Sequence, residues 1–484
     1  MENYTVYLDA ETTTGDQVQA DIVEYTAILV RDKDHKIIED FTYFARPRIS
    51  RCYQVDAYLV NGFNPFDVEK HEYTNHQLAK KLNEKFTQWK NKGNVKFNAF
   101  AGYNFDFLLT SHTWWSNLYS FPWLFSTKAS QMDTLPIARN MEFYRPDILK
   151  TELNHKKNKI FKLSSLCNLN GFPIKTAHRA YDDTLGLKNL TEHLSKADPE
   201  LFQKNLQFTN KKDVLPYLKK VKYFYTTETF FSKTRQFACC FLTEHPIYAG
   251  YMLSLDLKHD PQEIFSIKSN NDLQKLLFAT PVKMRTTKAN RTPLILKPDD
   301  KWVLSVEDEY SAIGHETLSK RADYIIKNRN EIAERVQTII KDKFDEKNMD
   351  QTELLPEQKI FALKPDRNQQ DLMNNFVLSD NMDEKVKIYK NFNGDLKHLS
   401  ELILIDEYDK EAFENKEYLR IRKGISKRLL STNNEPFPTI PAQFERIDTL
   451  RMEESESEDK KKLEIVENIN DHLTKLSTDH EKYL

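Results

Sequence analysis

The first apolar run of the chain, "YTVYL" (4–8), leads directly into two carboxylates, Asp9 and Glu11. Residues i and i+2 of a β-strand point to the same face, so these two acids repel each other unless something positive lies between them. That face is therefore either solvated or a cation site. The pair alone does not distinguish between these two possibilities, because the same spacing recurs elsewhere, as at Asp67/Glu69, Asp409/Glu411 and Asp479/Glu481.

Further acids stand where strands end or helices begin. Asp106, in "YNFDFLL", opens a helix after an apolar strand, and Asp183, in "AHRAYDD", lies near the start of another helix, five positions after His178. Each has an ordinary explanation when taken singly. Acids are favoured in the first turn of a helix, which also covers Asp182, and His178 could be a surface loop residue.

The elements that would carry these residues predict an α/β domain. Residues 21–47 indicate two strands joined by a polar turn at 32–35. Strand, turn and helix start follow one another in 95–109, and 159–172 reads as a short helix stopped by Gly171. Helices are predicted at 75–93 and 182–197 from the spacing of their apolar residues: Leu78, Leu82, Phe86 and Trp89 in the first, and Leu185, Leu187, Leu190 and Leu194 in the second.

The residue pattern in the rest of the chain changes twice, near residue 203 and near residue 315. Residues 203–310 are rich in aromatic and β-branched residues with alternating pattern, which predicts a small barrel-like β domain. From 315 onward the pattern is helical, and the charge run at 453–462 is interpreted as a solvated helix or loop. We therefore predict three domains, at 1–198, 199–350 and 351–484.

The amino-acid composition argues against several classes of protein. Only 10 glycines occur in 484 residues, with no Gly-x-Gly-x-x-Gly or Walker segment, which argues against a phosphate-binding loop. The formal net charge is −2, so nucleic acid would need a local basic groove. The four cysteines form no zinc pattern and predict no disulfide. The first residues do not form a signal peptide, and no apolar run reaches the ~20 residues of a membrane span, so we expect a soluble cytoplasmic protein.

Taken together, the acidic motifs and His178 occur in the order that is typical of a known family. The chain resembles the DEDDh 3′→5′ exonucleases and, among them, bacterial exonuclease I. Further similar segments, inside and beyond the first domain, extend the resemblance over nearly the whole chain: "VNGFNP" (60–65), "FKLSSLCNLNGF" (161–172), "AHRAYDD" (177–183), "TKANRTPLIL" (287–296) and "PDRNQQDLMNNFVLSDNMDEKV" (365–386).

The resemblance implies a fold and an activity. The fold is α/β, with a ribonuclease H-like exonuclease domain followed by an SH3-like β domain and a C-terminal helical domain. The activity is 3′→5′ hydrolysis of single-stranded DNA to mononucleotides by a two-metal mechanism. Asp9, Glu11, Asp106 and Asp183 would bind two Mg²⁺ ions, for which Mn²⁺ can substitute, and His178 would accept a proton.

Substrate and partners are expected from the same resemblance and from local charge. Glu11, Thr12 and Thr13 match the segment that meets the terminal nucleotide. Basic residues interleaved with aromatics are typical of single-strand binding, and the candidates are Lys222, Arg235, Arg285 and Lys288. The family also binds the acidic C-terminal tail of single-strand DNA-binding protein. We expect a monomer that does not bind membranes.

One departure and two rival readings stay open. "GYNFDF" (102–107) joins the Asn and the Phe-Asp that lie several residues apart in relatives, so the turn before Asp106 is shorter than usual. The first rival is an exoribonuclease of the same chemistry, since nothing in the sequence shows whether a 2′-OH is tolerated. The second is a non-catalytic single-strand binding scaffold, for which a cluster of acids facing phosphate would be a disadvantage.

Overall fold

The protein is described by a computed structural model, which places residues 2–119, 130–176, 178–347, 354–455 and 460–484. Among these residues, no helix is both long and apolar enough to cross a membrane. Part of the charge run predicted at 453–462 lies outside the described residues.

The described chain alternates between strands and helices in its first half and is helical towards its end. The strands are β1 (Asn3–Thr12), β2 (Ile22–Arg31), β3 (Lys36–Phe44), β4 (Asn94–Ala99), β5 (Ser130–Asp133), β6 (Glu152–Leu153), β7 (Lys159–Ile160), β8 (Phe224–Phe230), β9 (Lys233–Glu244), β10 (Tyr251–Asp256) and β11 (Met284–Lys288). The helices are α1 (Val55–Asn61), α2 (Pro65–Val68), α3 (Asn75–Lys90), α4 (Asp106–Ser116), α5 (Thr134–Tyr144), α6 (Leu163–Leu169), α7 (Ala180–Ala197), α8 (Pro199–Leu206), α9 (Val214–Lys220), α10 (Pro261–Phe265), α11 (Asn270–Phe278), α12 (Lys301–Leu304), α13 (Glu309–Ile313), α14 (His315–Lys327), α15 (Arg329–Lys347), α16 (Arg367–Leu378), α17 (Met382–Tyr389), α18 (Gly394–Tyr408), α19 (Asn415–Leu429), α20 (Ile440–Ser455) and α21 (Lys460–Glu481).

The chain divides into two compact units. The first unit comprises residues 1–129, 174–185 and 354–484, and the second comprises residues 130–173 and 186–353. Every predicted metal ligand lies in the first unit, together with the C-terminal helices. The division into three domains at 198 and 350 stays a prediction.

The sheet of the first unit positions the acidic residues. Its strands run in the order β3-β2-β1-β4, with β1 antiparallel to β2 and parallel to β4. β1 is central, so both of its edges are hydrogen-bonded, and the strand is almost wholly buried. β2 is buried along nearly its full length, and it continues into β3 through the polar turn that the sequence predicted.

Helix α3 covers the sheet with the apolar stripe expected from its spacing: Leu78, Leu82, Phe86 and Trp89 are all fully buried. Thr74 begins the helix with a capping box, in which its hydroxyl accepts from the Gln77 N–H and Gln77 accepts from the Thr74 N–H. In the same unit the C-terminal helices add a second core. It joins Val23 and Tyr58 to Ile447 and Leu473, residues that are hundreds of positions apart in sequence.

The second unit contains a four-stranded antiparallel sheet in the order β11-β10-β9-β8. Residues 222–257 supply three of these strands, as their alternating pattern predicted. Tyr225 also forms an antiparallel bridge with Leu296. Cys239 and Cys240 lie inside β9, and all four cysteines are buried and free.

The strands and helices predicted within 4–109 and 182–197 are found with small shifts in their bounds. The region 203–310, predicted as a small barrel-like β domain, also contains the helices α9, α10, α11 and α12 beside its four-stranded sheet. The segment 159–172 is mixed, because it starts as the short strand β7 and only then forms α6. Gly171 lies just beyond α6 with φ +91°, a conformation that favours glycine. The mixed α/β class and the helical C-terminal region are also confirmed.

Candidate functional site

Asp9 and Glu11 occupy the carboxyl end of β1. The strand extends beyond the apolar run to Thr12, so both acids lie within it and share one face. Glu11 is buried and Asp9 is half-buried. The pairing with β2 shifts register between Glu11 and Thr12, where a β-bulge is recorded. A bulge re-aims neighbouring side chains and is common beside functional sites.

The short turn in "GYNFDF" delivers Asp106 to the start of α4. Ala101 has φ +63°, and the Asn104 N–H donates to the Ala101 carbonyl at 2.9 Å, which makes the turn tight. Gly102 is required here, since a Cβ would lie 2.5 Å from the Cβ of Ala99. Asp106 is buried with only 4% exposure. The shortened turn therefore still brings this acid to the interior beside β1.

Asp183 lies in the first turn of α7, and His178 lies two residues before the helix begins. The backbone N–H of His178 donates to the Asp183 carboxylate at 2.9 Å, which fixes the approach of the chain to the helix. His178 has φ +63°, an uncommon conformation for a residue with a side chain. Ligand atoms of Glu11, His178 and Asp183 all lie within 4.8 Å of one another. The structure thus brings together three of the five predicted site residues in one tight cluster.

The carboxylates of Asp9 and Asp106 interact electrostatically with this cluster. Burial, and then the neighbouring carboxylates of Asp106, Glu11 and Asp183, raise the pKa of Asp9 well above its usual range. Burial and the charge of Asp183 raise the pKa of Glu11 to about 8, although Arg179 acts in the opposite direction. The four acids thus repel one another in a region shielded from solvent, which favours the protonated forms of Asp9 and Glu11.

The donor set suits a divalent cation. Carboxylate oxygens are the ligands that hard divalent ions prefer, and the cluster offers one imidazole besides. Neighbouring carboxylates repel one another when they are ionised. A cation bound between them attracts each of them and so stabilises the ionised form. Asp9, Glu11, Asp106, His178 and Asp183 are therefore the residues that could hold a metal here.

Sequence reasoning missed two residues beside the cluster. Glu24, on β2, lies directly opposite Glu11 in the strand register and is only 1% exposed. Arg179 donates its Nε–H to the Glu24 carboxylate at 3.0 Å. Burial raises the pKa of Glu24, and Arg179 offsets part of that rise. The signal was present, since Glu24 is the only charged residue inside the apolar stretch 22–30.

Thr12 and Thr13 are both buried behind Glu11. The Thr12 hydroxyl donates to the Thr14 carbonyl at 2.9 Å. The Thr13 hydroxyl accepts from the Asp21 N–H at 2.9 Å, and the Thr13 N–H donates to the Asp21 carbonyl at 3.0 Å. These contacts fix the backbone after β1. The substrate-binding role of both residues stays a prediction.

The four basic candidates lie in the second unit and differ in their surroundings. Lys222 is exposed and ion-paired with Asp323 at 2.8 Å. Arg235 is exposed on β9. Lys288 lies 5.2 Å from the centre of the Tyr251 ring, and burial lowers its pKa.

Arg285 is the exception, because the protein uses its guanidinium internally. It is 9% exposed, ion-paired with Glu228 at 3.0 Å and Asp256 at 3.4 Å, and stacked 3.7 Å from the Phe237 ring. The other three side chains are placed to meet a ligand more readily than Arg285. Strand binding by any of the four stays a prediction.

The sequence was compared with family models and with curated proteins. No family model matches the sequence. Among curated proteins, the chain is 25% identical over 256 residues to "Exodeoxyribonuclease I" of Buchnera aphidicola subsp. Schizaphis graminum, which is 51% of this chain and 49% of that protein. The matched segment therefore spans about half the length of that relative.

Solved structures match over nearly the full length. Exonuclease I from Methylocaldum szegediense superposes with a TM-score of 0.81 at 16% identity, covering 98% of this chain and 99% of that one. E. coli exonuclease I in complex with a dA16 oligonucleotide gives a TM-score of 0.80 at 15% identity, covering 98% and 100%. A complex described as ExoI/SSB-Ct gives 0.78 at 14% identity, covering 98% and 100%. The resemblance to bacterial exonuclease I is thus confirmed, and the fold is that of these structures.

Proposed function

We propose that the chain is a metal-dependent 3′→5′ exonuclease that degrades single-stranded DNA. The observation that carries the proposal is the convergence of Glu11, His178 and Asp183 within 4.8 Å, with Asp9 and Asp106 close enough to raise the pKa of their neighbours. The similarity to exodeoxyribonuclease I of Buchnera aphidicola and the shared exonuclease I fold support the same activity.

The acids would hold the metal. Asp9, Glu11, Asp106 and Asp183 are the proposed ligands of two Mg²⁺ ions, with Mn²⁺ as a substitute. When bound, such ions neutralise the charge that develops on the attacking and leaving oxygens of a phosphodiester. Mg²⁺ is proposed because the acids offer only hard oxygen ligands, and Mg²⁺ is commonly bound by a few carboxylates together with substrate phosphate.

His178 is the proposed proton acceptor. Its ring lies beside Glu11 and Asp183, and its backbone N–H is fixed by Asp183. The following residue is anchored in turn, because Arg179 is ion-paired to the buried Glu24. The backbone on either side of the His178 side chain is therefore fixed by two contacts of its own loop. This keeps the imidazole within reach of the acidic cluster, where it can act as a proton acceptor.

The proposed substrate and partners are based on the similar solved structures and on the basic residues of this chain. The E. coli enzyme of the same fold was solved with a dA16 oligonucleotide, and another structure is an ExoI/SSB-Ct complex. We infer that this chain acts on single-stranded DNA as a monomer, with Glu11, Thr12, Thr13, Lys222, Arg235, Arg285 and Lys288 as candidate contacts. The acidic tail of single-strand DNA-binding protein is a second proposed partner. Four free, buried thiols support a reducing compartment, which we take to be the cytoplasm.

The proposal is tested by a substrate panel. Single-stranded DNA, single-stranded RNA and duplex DNA of one sequence, each labelled at the 5′ end, are incubated with the full chain in Mg²⁺ and, separately, in excess chelator. We expect the single-stranded DNA alone to shorten quickly, and only when metal is present. Mononucleotides should be the product.

The rival functions give different results in the same panel. Faster loss of RNA than of DNA would replace the proposal by an exoribonuclease. Tight binding of single-stranded DNA without cleavage in Mg²⁺ or Mn²⁺ would favour a scaffold. Cleavage that survives the chelator would contradict the metal dependence.

A further inference from the structure

A cavity of about 240 Å³ lies within the first unit, between residues 46–69 and the C-terminal helices. An apolar cavity of ~150 Å³ is already large enough to hold a benzene molecule. This cavity therefore has room for a ring together with a polar group. Apolar side chains form much of its lining: Pro47, Ile49, Tyr53, Tyr58, Pro65 and Leu476.

Three arginines, Arg46, Arg48 and Arg51, also line the cavity. Arg48 and Arg51 share the single carboxylate of Asp21, at 3.5 Å and 3.3 Å. Arg46 donates from Nη2 to the carbonyl oxygen of Asp406 at 3.5 Å, and within the described part of the chain it has no ion pair. One carboxylate is thus opposed by three guanidinium groups.

The acid in the lining does not neutralise these arginines. The carboxylate of Glu69 lies 2.8 Å from His472 Nε2 and 2.7 Å from the ammonium of Lys475, and these two groups lower its pKa to about 2. Burial, and then the neighbouring guanidinium of Arg51, lower the pKa of Arg48 to about 10, as expected where cations are crowded. The wall of the cavity therefore carries an excess of positive charge.

Arg51 has a hydrogen-bond donor that the protein does not use. Its side chain is only 6% exposed, and its Nη1 donates to the carbonyl oxygen of Ala20 at 2.8 Å. Its Nη2 is buried and has no hydrogen-bond partner among the residues that the structure describes. Leaving a buried charged donor unsatisfied is costly, because the group has lost its contacts with water. An anionic oxygen of a molecule bound in the cavity would supply the missing acceptor.

The lining favours a ligand that combines a ring with an anionic group. Inorganic phosphate would match the planar fork of an arginine but would leave the apolar part of the lining unused. An uncharged ring would fill the apolar part but would leave the guanidinium groups unsatisfied. A nucleoside 5′-monophosphate offers both parts, and it is the class of product that hydrolysis of DNA to mononucleotides releases.

We propose that this cavity binds a nucleoside 5′-monophosphate, with the phosphate against Arg46 and Arg51 and the base against the apolar lining. The inference deepens the proposed function and rests on it, because the ligand is the proposed product. The described residues that line the cavity include none of the five predicted residues of the acidic cluster. The cavity wall is nevertheless joined to the segment after Glu11, since the Gln54 N–H donates to the Thr13 carbonyl at 2.9 Å.

The test measures nucleotide binding in the absence of metal. The full chain is titrated with dTMP, thymidine or inorganic phosphate in excess chelator, and the heat of binding is followed by calorimetry. We expect dTMP to bind at one site per chain, at least about 10-fold more tightly than thymidine or phosphate, because each of these offers only part of the contacts.

Variants of the lining connect the binding to the cavity. Arg46→Gln removes a cation without breaking an ion pair, and Arg51→Lys keeps a charge beside Asp21 but lacks Nη2. Each should weaken dTMP binding about 10-fold or more, as expected for the loss of a hydrogen bond between charged groups. Leu476→Trp fills the cavity and should abolish binding. Arg367→Gln, at an exposed arginine of the same unit, is the matched control and should bind dTMP as wild type does.

Two further measurements separate the alternatives. The Tm of each variant without dTMP shows whether it is folded, and only folded variants are compared. Asp183→Asn alters the acidic cluster and should leave the affinity for dTMP in chelator unchanged. Weaker binding by Asp183→Asn would place the nucleotide at the cluster and would overturn the inference.

Three other results would also overturn it: no binding of dTMP by the wild-type chain, equal affinity for dTMP and inorganic phosphate, or wild-type affinity in both Arg46→Gln and Arg51→Lys. In each case the proposed function stands, provided that the wild-type chain degrades single-stranded DNA in Mg²⁺. A wild-type chain that binds dTMP in the cavity but leaves single-stranded DNA intact would contradict the proposed function and not the binding site.

Discussion

Arg179 lies next to His178 in sequence and donates its Nε–H to the carboxylate of Glu24 at 3.0 Å. Glu24 in turn faces Glu11 across β1 and β2. It also accepts a hydrogen bond from the backbone of Ala180, the first residue of α7. This ion pair therefore ties the loop that carries His178 to the strand beside the acidic cluster.

Removing Arg179 should impair the site without unfolding the protein. The Arg179→Ala change removes the cation that lowers the pKa of Glu11, and it frees the loop before α7. We expect a 10- to 100-fold loss in metal affinity or activity, about the range for residues that support metal ligands. The measurement is the Mg²⁺ concentration that gives half-maximal digestion of single-stranded DNA.

Two variants control for this effect. Arg446 forms an ion pair with Asp56 at 2.9 Å, and this pair is exposed, so Arg446→Ala should leave the Mg²⁺ dependence unchanged. Arg179→Lys should restore part of the lost activity. An Arg179→Ala enzyme with wild-type Mg²⁺ dependence would show that the ion pair does not support the cluster.

Asp21 is expected to be one of the most sensitive positions for stability. It is fully buried, with Arg51 at 3.3 Å and Arg48 at 3.5 Å, and it also accepts from the Arg48 backbone. Asp21→Ala removes the carboxylate that is ion-paired with both buried guanidinium groups, which should cost about 3–5 kcal/mol. Asp67→Ala, which breaks an exposed pair with Lys70, should cost less than about 1 kcal/mol. Urea unfolding midpoints measure both, and equal midpoints would contradict the prediction.

His76 should make stability fall in mild acid. Burial, and then the ammonium of Lys385, lower its pKa to about 3, and the ring nitrogen accepts from Lys385 at 2.9 Å. In the unfolded chain a histidine takes up a proton below about pH 6.5. The unfolded state then binds more protons, so stability is lost as the pH falls from about 6.5 towards 3.

The size of this effect can be measured by comparison with a variant. Between pH 7 and pH 5 the histidine should contribute a loss of about 2 kcal/mol in the free energy of unfolding. His76→Gln does not titrate, so its stability should depend less on pH over this interval. Parallel pH dependence in the two proteins would show that His76 is not kept neutral by the fold.

Local pattern predicted the elements that carry the site. The apolar run before Asp9, the polar turn after β2 and the spacing of Leu78 and Phe86 each correspond to an observed strand, turn or helix. These features depend on neighbours in sequence, so periodicity is enough to find them. The order of the acidic motifs then supplied the candidate ligands.

Contacts between residues that are far apart in sequence could not be predicted from the sequence pattern. Nothing in sequence pairs Val23 with Leu473 in one core, or Arg285 with Glu228 and Asp256 in a buried ion pair. Basic residues on adjacent strands look alike in sequence, whether their charge faces solvent or is used inside the protein. For this reason Arg285 and Arg235 were equal candidates for strand binding, although only Arg235 is exposed.

The most direct test of the account compares two adjacent acids. Asp183 belongs to the cluster with Glu11 and His178, whereas Asp182 accepts a hydrogen bond from the Thr176 backbone at 3.1 Å. Digestion of a 5′-labelled single-stranded DNA in Mg²⁺ is followed on a sequencing gel for wild type, Asp183→Asn and Asp182→Asn. We expect a ladder that shortens from the 3′ end with wild type and Asp182→Asn, and at least about 100-fold slower digestion with Asp183→Asn. Equal digestion by the two variants, or a wild-type enzyme that releases the 5′ label first, would contradict the proposed function of the cluster.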